Sequence, residues 1–244
     1  MIVDVNVNYG FWPFRKFNQR VETLAKEGID YIFLSHLGSV FYFQDPDIYN
    51  KELREKFKNK NNFFIISTIN PTIPGWEEII EENNFTAVKI IPGYHLFSLL
   101  DKKIYPFFRK ISDKNIPLII QMRFEDERNL YPLLKLPKVK IEEIEQIALN
   151  FPEIKIVVFC PYFFEAVKLG KIENVYIEIS FVEKFKTISS LVKEIPSDKI
   201  IFGSHTPFLY PQAAISKVKY AEISEEEKEK IYFKNAAKIF SLNF

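Results

Sequence analysis

The chain has 244 residues, enough for one α/β barrel or two small domains, and 47% of them are hydrophobic, enough for a large core. With 33 basic against 32 acidic residues the formal net charge is +1, which excludes the electrostatic footprint of a nucleic-acid or anionic-membrane binder. The single cysteine, Cys160, excludes an internal disulfide. With no secretory leader and no apolar run near the ~18 residues of a membrane span, it predicts a soluble, cytoplasmic protein. Abundant Lys, Glu and Ile with only seven Gly would suit a thermophile, and codon bias could produce the same composition.

The predicted elements follow one rhythm from end to end, and no linker, repeat or low-complexity stretch interrupts it. Short β-branched runs lie at 2–8 (IVDVNVN), 31–36 (YIFLSH), 63–70 (FFIISTIN) and 85–91 (FTAVKII). Four more lie at 116–122 (IPLIIQM), 154–160 (IKIVVFC), 174–180 (NVYIEIS) and 199–205 (KIIFGSH). Amphipathic segments separate them, including FNQRVETLAKEG, GWEEIIEEN, DKKIYPFFRKISDKN and KIEEIEQIALNF. In the last, Ile141, Ile144, Ile147 and Ala148 recur at helical spacing. Ser224 and Glu227 form a capping-box pattern ahead of a final helix ending near Leu242. Eight strands alternating with helices predict a single (β/α)₈ TIM barrel over residues 1–244. A doubly wound open sheet is the alternative, but YGFWPF is not the Gly-rich first turn such a sheet usually carries.

In a (β/α)₈ barrel the C-terminal strand ends face the active-site mouth, so the groups found there acquire meaning. In chain order they are Asn6 and Asn8, His36, Asn70, Lys89, Gln121 with Arg123, Cys160, Glu178 with Ser180, and His205. In the first strand Asp4, Asn6 and Asn8 alternate with Val3, Val5 and Val7. Strict period-two geometry therefore aims all three polar groups into the barrel and the valines away from it. His95 follows Pro92 and Gly93 on a mouth loop. MRFEDER gathers Arg123, Glu125, Asp126 and Arg128 after strand five, either as an ion-pair network holding the following loop or as a bidentate grip on a substrate carboxylate. Aromatics crowd the same loops (Phe11, Trp12, Phe14, Phe41, Tyr42, Phe43, Tyr94, Phe97, Tyr162, Phe163 and Phe164), predicting a lidded apolar pocket or a dimer contact there.

These segments resemble the amidohydrolase superfamily, in the branch of aminocarboxymuconate-semialdehyde decarboxylase and related hydrolases. The first strand D-x-N-x-N looks like a degenerate D-x-H-x-H. AVKIIPGYH, NVYIEIS, IIFGSHTPF (against the branch's G-S-D-x-P) and NAAKIFSL agree in order. INPTIPGW at 69–76, PGYH at 92–95 and QMRFEDER at 121–128 mark an uncharacterised subgroup. The resemblance implies a metal-dependent-hydrolase-like barrel. It also implies a metal held by two first-strand histidines, histidines ending strands five and six, and an aspartate ending strand eight. Asn6, Asn8, Gln121, Cys160 and His205 stand at the matching places, and neutral amides bind transition metals poorly.

Three readings follow. The first is a metal-independent hydrolase or decarboxylase of a small carboxylated molecule, without cofactor. His205 and His95 would move protons, with Asn6, Asn8, Lys89, Gln121, Arg123, Glu178, His36 and Cys160 binding substrate. The second is a rebuilt divalent-metal site, zinc for example, using some of His36, His95, Cys160, Glu178 and His205. The third is an inactive barrel serving as a small-molecule binder or partner subunit, a homodimer being common among the relatives. Bland roles stand beside the functional ones: Lys89 could neutralise Glu178 inside the barrel, His36 could cap its strand, and Cys160 could be an inert small hydrophobe.

Overall fold

In the computed structural model, which describes residues 1–17, 21–41, 47–82, 85–129 and 136–242, eight parallel strands pair neighbour to neighbour. They are β1 (Val3–Tyr9), β2 (Tyr31–His36), β3 (Phe63–Thr68), β4 (Ala87–Ile90), β5 (Leu118–Gln121), β6 (Ile156–Phe159), β7 (Val175–Glu178) and β8 (Ile200–Ile201). The ring closes where Val5 N donates to Phe202 O at 3.2 Å, Asn8 N donates to Thr206 O at 2.7 Å, and Val7 bridges Thr206 in parallel. This is the TIM-barrel fold. Each strand is buried on both faces, which is why the runs read as nearly continuous apolar sequence. Leu118, Ile120, Ile156, Val158 and Ile177 pack outward in one large cluster with the helices, while Ile119, Val157 and Ile201 fill the barrel.

The helices are α1 (Ile48–Phe57), α2 (Trp76–Glu82), α3 (Pro92–His95), α4 (Tyr105–Asp113), α5 (Ile141–Asn150), α6 (Phe163–Leu169), α7 (Thr187–Leu191), α8 (Pro211–Lys219), α9 (Glu225–Glu229) and α10 (Asn235–Phe240). The segment expected to be helical over 17–28 winds more tightly, as a 3₁₀ stretch at Val21–Glu27. At the C-terminus the capping box forms as expected: Glu227 N donates to Ser224 Oγ at 3.2 Å and Ser224 N to Glu227 Oε2 at 2.9 Å. The final helix is interrupted by a wider π-type stretch at Lys230–Lys234 before α10. Ala236, Ile239 and Phe240 of α10 close the barrel floor, Phe240 meeting Phe33 with ring centroids 4.6 Å apart. Among the described residues no helix is long and apolar enough to cross a membrane.

Strict alternation fails in β1. The pairing register with β2 shifts between Asp4 and Val7, so the strand carries a bulge. Val3 and Val5 join the cluster that fills the barrel, whereas Val7 packs with Ile32, Leu34 and Leu53 on the outer side. Asp4 lies in the seam between β1 and β8, where its Oδ1 accepts from Asn6 N at 3.1 Å and Ser204 N at 2.9 Å. The carboxyl group thus satisfies backbone donors that the bulge would leave unpaired.

Candidate active site

Above the apolar filling, the strand ends bring together a buried polar cluster, called here the chamber. Asn6, Asn8, Ser35, Lys89, Gln121, Cys160, Glu178, Ser180 and His205 line it, none more than 1% exposed. Burial at that level demands internal partners. Glu178 Oε2 accepts from Asn6 Nδ2 (2.9 Å), Ser180 Oγ (2.8 Å) and Cys160 N (3.2 Å). Gln121 Nε2 donates to Cys160 Sγ at 3.2 Å. Ser35 Oγ donates to Asn8 Oδ1 at 3.1 Å and accepts from Lys89 Nζ at 2.6 Å. His205 Nε2 donates to the Phe124 carbonyl at 2.7 Å, which assigns the proton to that nitrogen. Its Nδ1 faces Asn6 Oδ1 (3.4 Å), Asn8 Nδ2 (3.5 Å) and Cys160 Sγ (3.5 Å). Cys160 and His205 both adopt left-handed backbone, φ 58° and 56°, where non-glycine residues are strained. Gly203 is required beside them, because a Cβ there would lie 2.4 Å from Glu178 Oε1.

Desolvation dominates the electrostatics. Burial drives Lys89 down to about 7 and His205 down to about 3, so the imidazole is neutral. Burial pushes the Cys160 thiol up to about 12 and lifts Glu178 above the usual carboxylate range against the hydrogen bonds it accepts. Lys89 does not pair with Glu178: its Nζ has a hydroxyl at 2.6 Å and the face of Phe124 with its centroid at 5.3 Å, and no ion pair among the described residues.

An aromatic plug covers the chamber. Phe208 stacks on His205 (4.6 Å, 15°) and Phe181 meets it edge-on at 5.4 Å. Trp12 packs against Phe124 (5.3 Å), Phe208 (4.9 Å) and Tyr94 (5.9 Å), and its indole N–H donates to Glu125 at 3.2 Å. Two cavities flank the plug. One, of about 330 Å³, is lined by Tyr94, Met122, Arg123, Phe124 and Lys138, among others. The other, of about 320 Å³, is lined by Arg15, Phe124, Arg128, Tyr162, Phe181 and Phe208, among others.

The structure brings together Asn6, Asn8, Lys89, Gln121, Cys160, Glu178 and His205, and leaves three other sequence candidates outside. His36 stacks on Tyr49 (4.5 Å, 14°), and its Nδ1 accepts from Gly38 N at 2.8 Å, a capping role. His95 turns its Nε2 to the Ser39 carbonyl at 2.9 Å and ties α3 to the loop after β2, with burial holding it down to about 4. Arg123 is gripped by Glu165 of α6 through two 2.7 Å bonds and lies 3.9 Å from the Tyr162 ring centroid. Its fork is therefore occupied by a carboxylate outside MRFEDER, while within the motif Arg128 pairs with Asp126 at 2.8 Å. Phe11 and Phe164 are exposed, while Tyr42 and Phe43 lie outside the described residues. Ser35 was missed, although strand parity points to it: it pairs across from Asn8, one place before the more conspicuous His36. Phe124 and Phe208 carried no local signal beyond being aromatic in quoted motifs.

The donor set does not fit a divalent metal. Of the five groups that the sequence resemblance sets at metal-ligand positions, three are amides, one is a thiol held protonated, and the imidazole already donates through Nε2. Glu178 is saturated by N–H and O–H donors, and Lys89 places an amine in the same chamber. Among the described residues no three His, Cys, Asp or Glu side chains are grouped to hold a metal ion.

Among solved structures, the fold is similar to 5-carboxyvanillate decarboxylase from Sphingomonas paucimobilis, at a TM-score of 0.71 and 18% identity, covering 92% of this chain and 82% of that one. It is also similar to 2,6-dihydroxybenzoate decarboxylase from Rhizobium (0.69, 16%, covering 92% and 88%). A third neighbour is the 5-carboxyvanillate decarboxylase of Novosphingobium aromaticivorans, complexed with manganese (0.70, 18%, covering 91% and 80%). At such identities the likeness concerns the fold alone. No curated protein matches the sequence significantly. The family described as Amidohydrolase matches residues 49–242, from α1 through α10. Spanning most of the chain on this closed barrel, that match shows that the protein belongs to the amidohydrolase family.

Proposed function

We propose that the protein is a metal-independent carboxy-lyase of a small carboxylated molecule, bound in the strand-end chamber. The observation that carries this reading is Lys89, a buried amine with no carboxylate partner among the described residues, at the active-site end of a barrel. Burying a cation costs free energy unless it is paired, so an acid completes what the chamber lacks. The amides of Asn8 and Gln121 orient the carboxylate. His205 moves the proton through Nδ1, since Nε2 is fixed on the Phe124 carbonyl. An anion beside that ring favours its protonated form and offsets the burial that keeps it neutral. The decarboxylases among the structural neighbours support the reaction class by analogy of fold.

The test is release of carbon dioxide from a panel of aromatic and aliphatic acids by chelator-treated protein. Saturable turnover is expected, falling by about a hundredfold or more in His205→Ala, assayed below that variant's own Tm where it is folded. Turnover that appears only with added manganese, or that survives His205→Ala, refutes it. The aromatic plug favours a second reading, a barrel that binds small acids without chemistry. A ligand-dependent rise in Tm with no product formed would establish that instead.

A further inference from the structure

We propose that Lys89 is the nucleophile of this chamber and that the acid it serves is a β-keto acid, held for decarboxylation as an imine on Nζ. The inference rests on the reading that the chamber takes a small carboxylated molecule, and it names the class. Four observations converge. Nζ lies in a compartment closed to water, with the whole side chain 1% exposed. The carboxylate that could have neutralised it, Glu178, is turned instead to Asn6, Ser180 and Cys160 N. A lysine buried without counter-charge favours the free amine, whose lone pair is the reactive form, and burial brings this one to about 7. Near neutrality the charged fraction attracts the carboxylate and the neutral fraction attacks the ketone. Finally, the Phe124 ring faces Nζ at 5.3 Å, where an aromatic face stabilises an iminium cation.

The steps balance. Nζ adds its lone pair to the keto carbon, and the carbonyl π pair moves to oxygen. That oxygen takes the proton the nitrogen releases, relayed by Ser35 Oγ at 2.6 Å, itself backed by Asn8 Oδ1. The carbinolamine takes up one proton from solvent and loses water to give the iminium, and that proton is the one the net decarboxylation of a carboxylate consumes. The carbon–carbon bond to the carboxylate then breaks, carbon dioxide departs, and the electron pair settles in an enamine. Water protonates the enamine carbon, and the hydroxide left behind adds to the iminium, releasing the ketone and the free amine. One water leaves and one is consumed, with no oxidant or reductant. Phe124 lines both flanking cavities and also covers Nζ, so a substrate entering from either has to displace that ring.

The experiment incubates the full chain with acetoacetate and sodium cyanoborohydride, then maps adducts by peptide mass spectrometry. An isopropyl group on Lys89 is expected, showing capture after loss of carbon dioxide, with trapping about tenfold weaker one to two pH units below neutrality. Lys89→Arg, checked for folding by its Tm, should show no adduct there. Because trapping is read on the native chain, a variant that fails to fold does not rescue the proposal. Absence of any Lys89 adduct, or labelling no greater than that of surface lysines, overturns it. If carbon dioxide release from other acids persists without Lys89 labelling, the carboxy-lyase reading stands and the imine falls. If no acid is turned over, both fall.

Discussion

Asp4 and Ser35 show how single residues divide between what a local pattern reveals and what it hides. Alternation places Asp4 with Asn6 and Asn8, yet the bulge takes it into the β1–β8 seam, where it is fully buried and its pKa rises to about 7. The folded chain therefore holds a proton that the unfolded chain releases between 3.8 and about 7, so this group's contribution to stability falls as pH rises through that window. Asp4→Asn keeps an acceptor for the two backbone N–H groups and removes the ionisation. Denaturant unfolding should find it close to wild type at acid pH and more stable, by about 1–3 kcal/mol, above neutrality. A pH-independent difference would show that Asp4 stays ionised. Gly203→Ala drives a methyl into Glu178, which its hydrogen bonds hold in place, and should cost about 1–3 kcal/mol by the same measurement. The chamber residues were legible as types, since Lys89, Cys160, Glu178 and His205 are chemically conspicuous. Ser35, a small hydroxyl beside the conspicuous His36, is marked only by its register opposite Asn8.

At the level of elements, seven of the eight strands lie within the predicted runs and β1 passes its run by one residue, Tyr9, because a two-sided apolar strand is a local signal that tertiary context only sharpens. Helices were less secure. The stretch at Val21–Glu27 buries only Val21 and Leu24, too narrow an apolar face to hold a longer regular helix against the barrel. α6 has a role the sequence did not announce. Its Glu165 closes a capping box on Tyr162 and clamps Arg123 from the loop after β5, joining two neighbouring mouth elements. Glu165→Gln removes the charge and leaves a buried guanidinium poorly paired. A loss of about 2–3 kcal/mol is expected in thermal unfolding, with faster hydrogen exchange after β5. A neutral effect would mean that stacking on Tyr162 suffices.

For the whole molecule, the barrel is closed at both ends: α10 seals the floor and the Trp12, Phe124, Phe181 and Phe208 plug covers the polar chamber. Phe240→Ala should cost about 3–5 kcal/mol, read as a large drop in Tm, since the ring fills space no neighbour can reoccupy. Metal dependence is tested globally as well. A resident ion binds the folded state selectively and raises Tm. Chelation followed by added manganese or zinc should leave Tm unchanged, and a reproducible rise would place an ion in the chamber despite its donor set.

The sequence by itself determined the barrel and the order of its strands, because periodicity, connectivity and residue identity are properties of neighbouring positions. Tertiary structure alone decided that Lys89 bonds Ser35 rather than Glu178, that Arg123 belongs to Glu165, and that Phe124 lies over the amine. Those contacts join side chains far apart along the chain, and their geometry depends on how the loops pack over a closed ring. No local pattern encodes that packing.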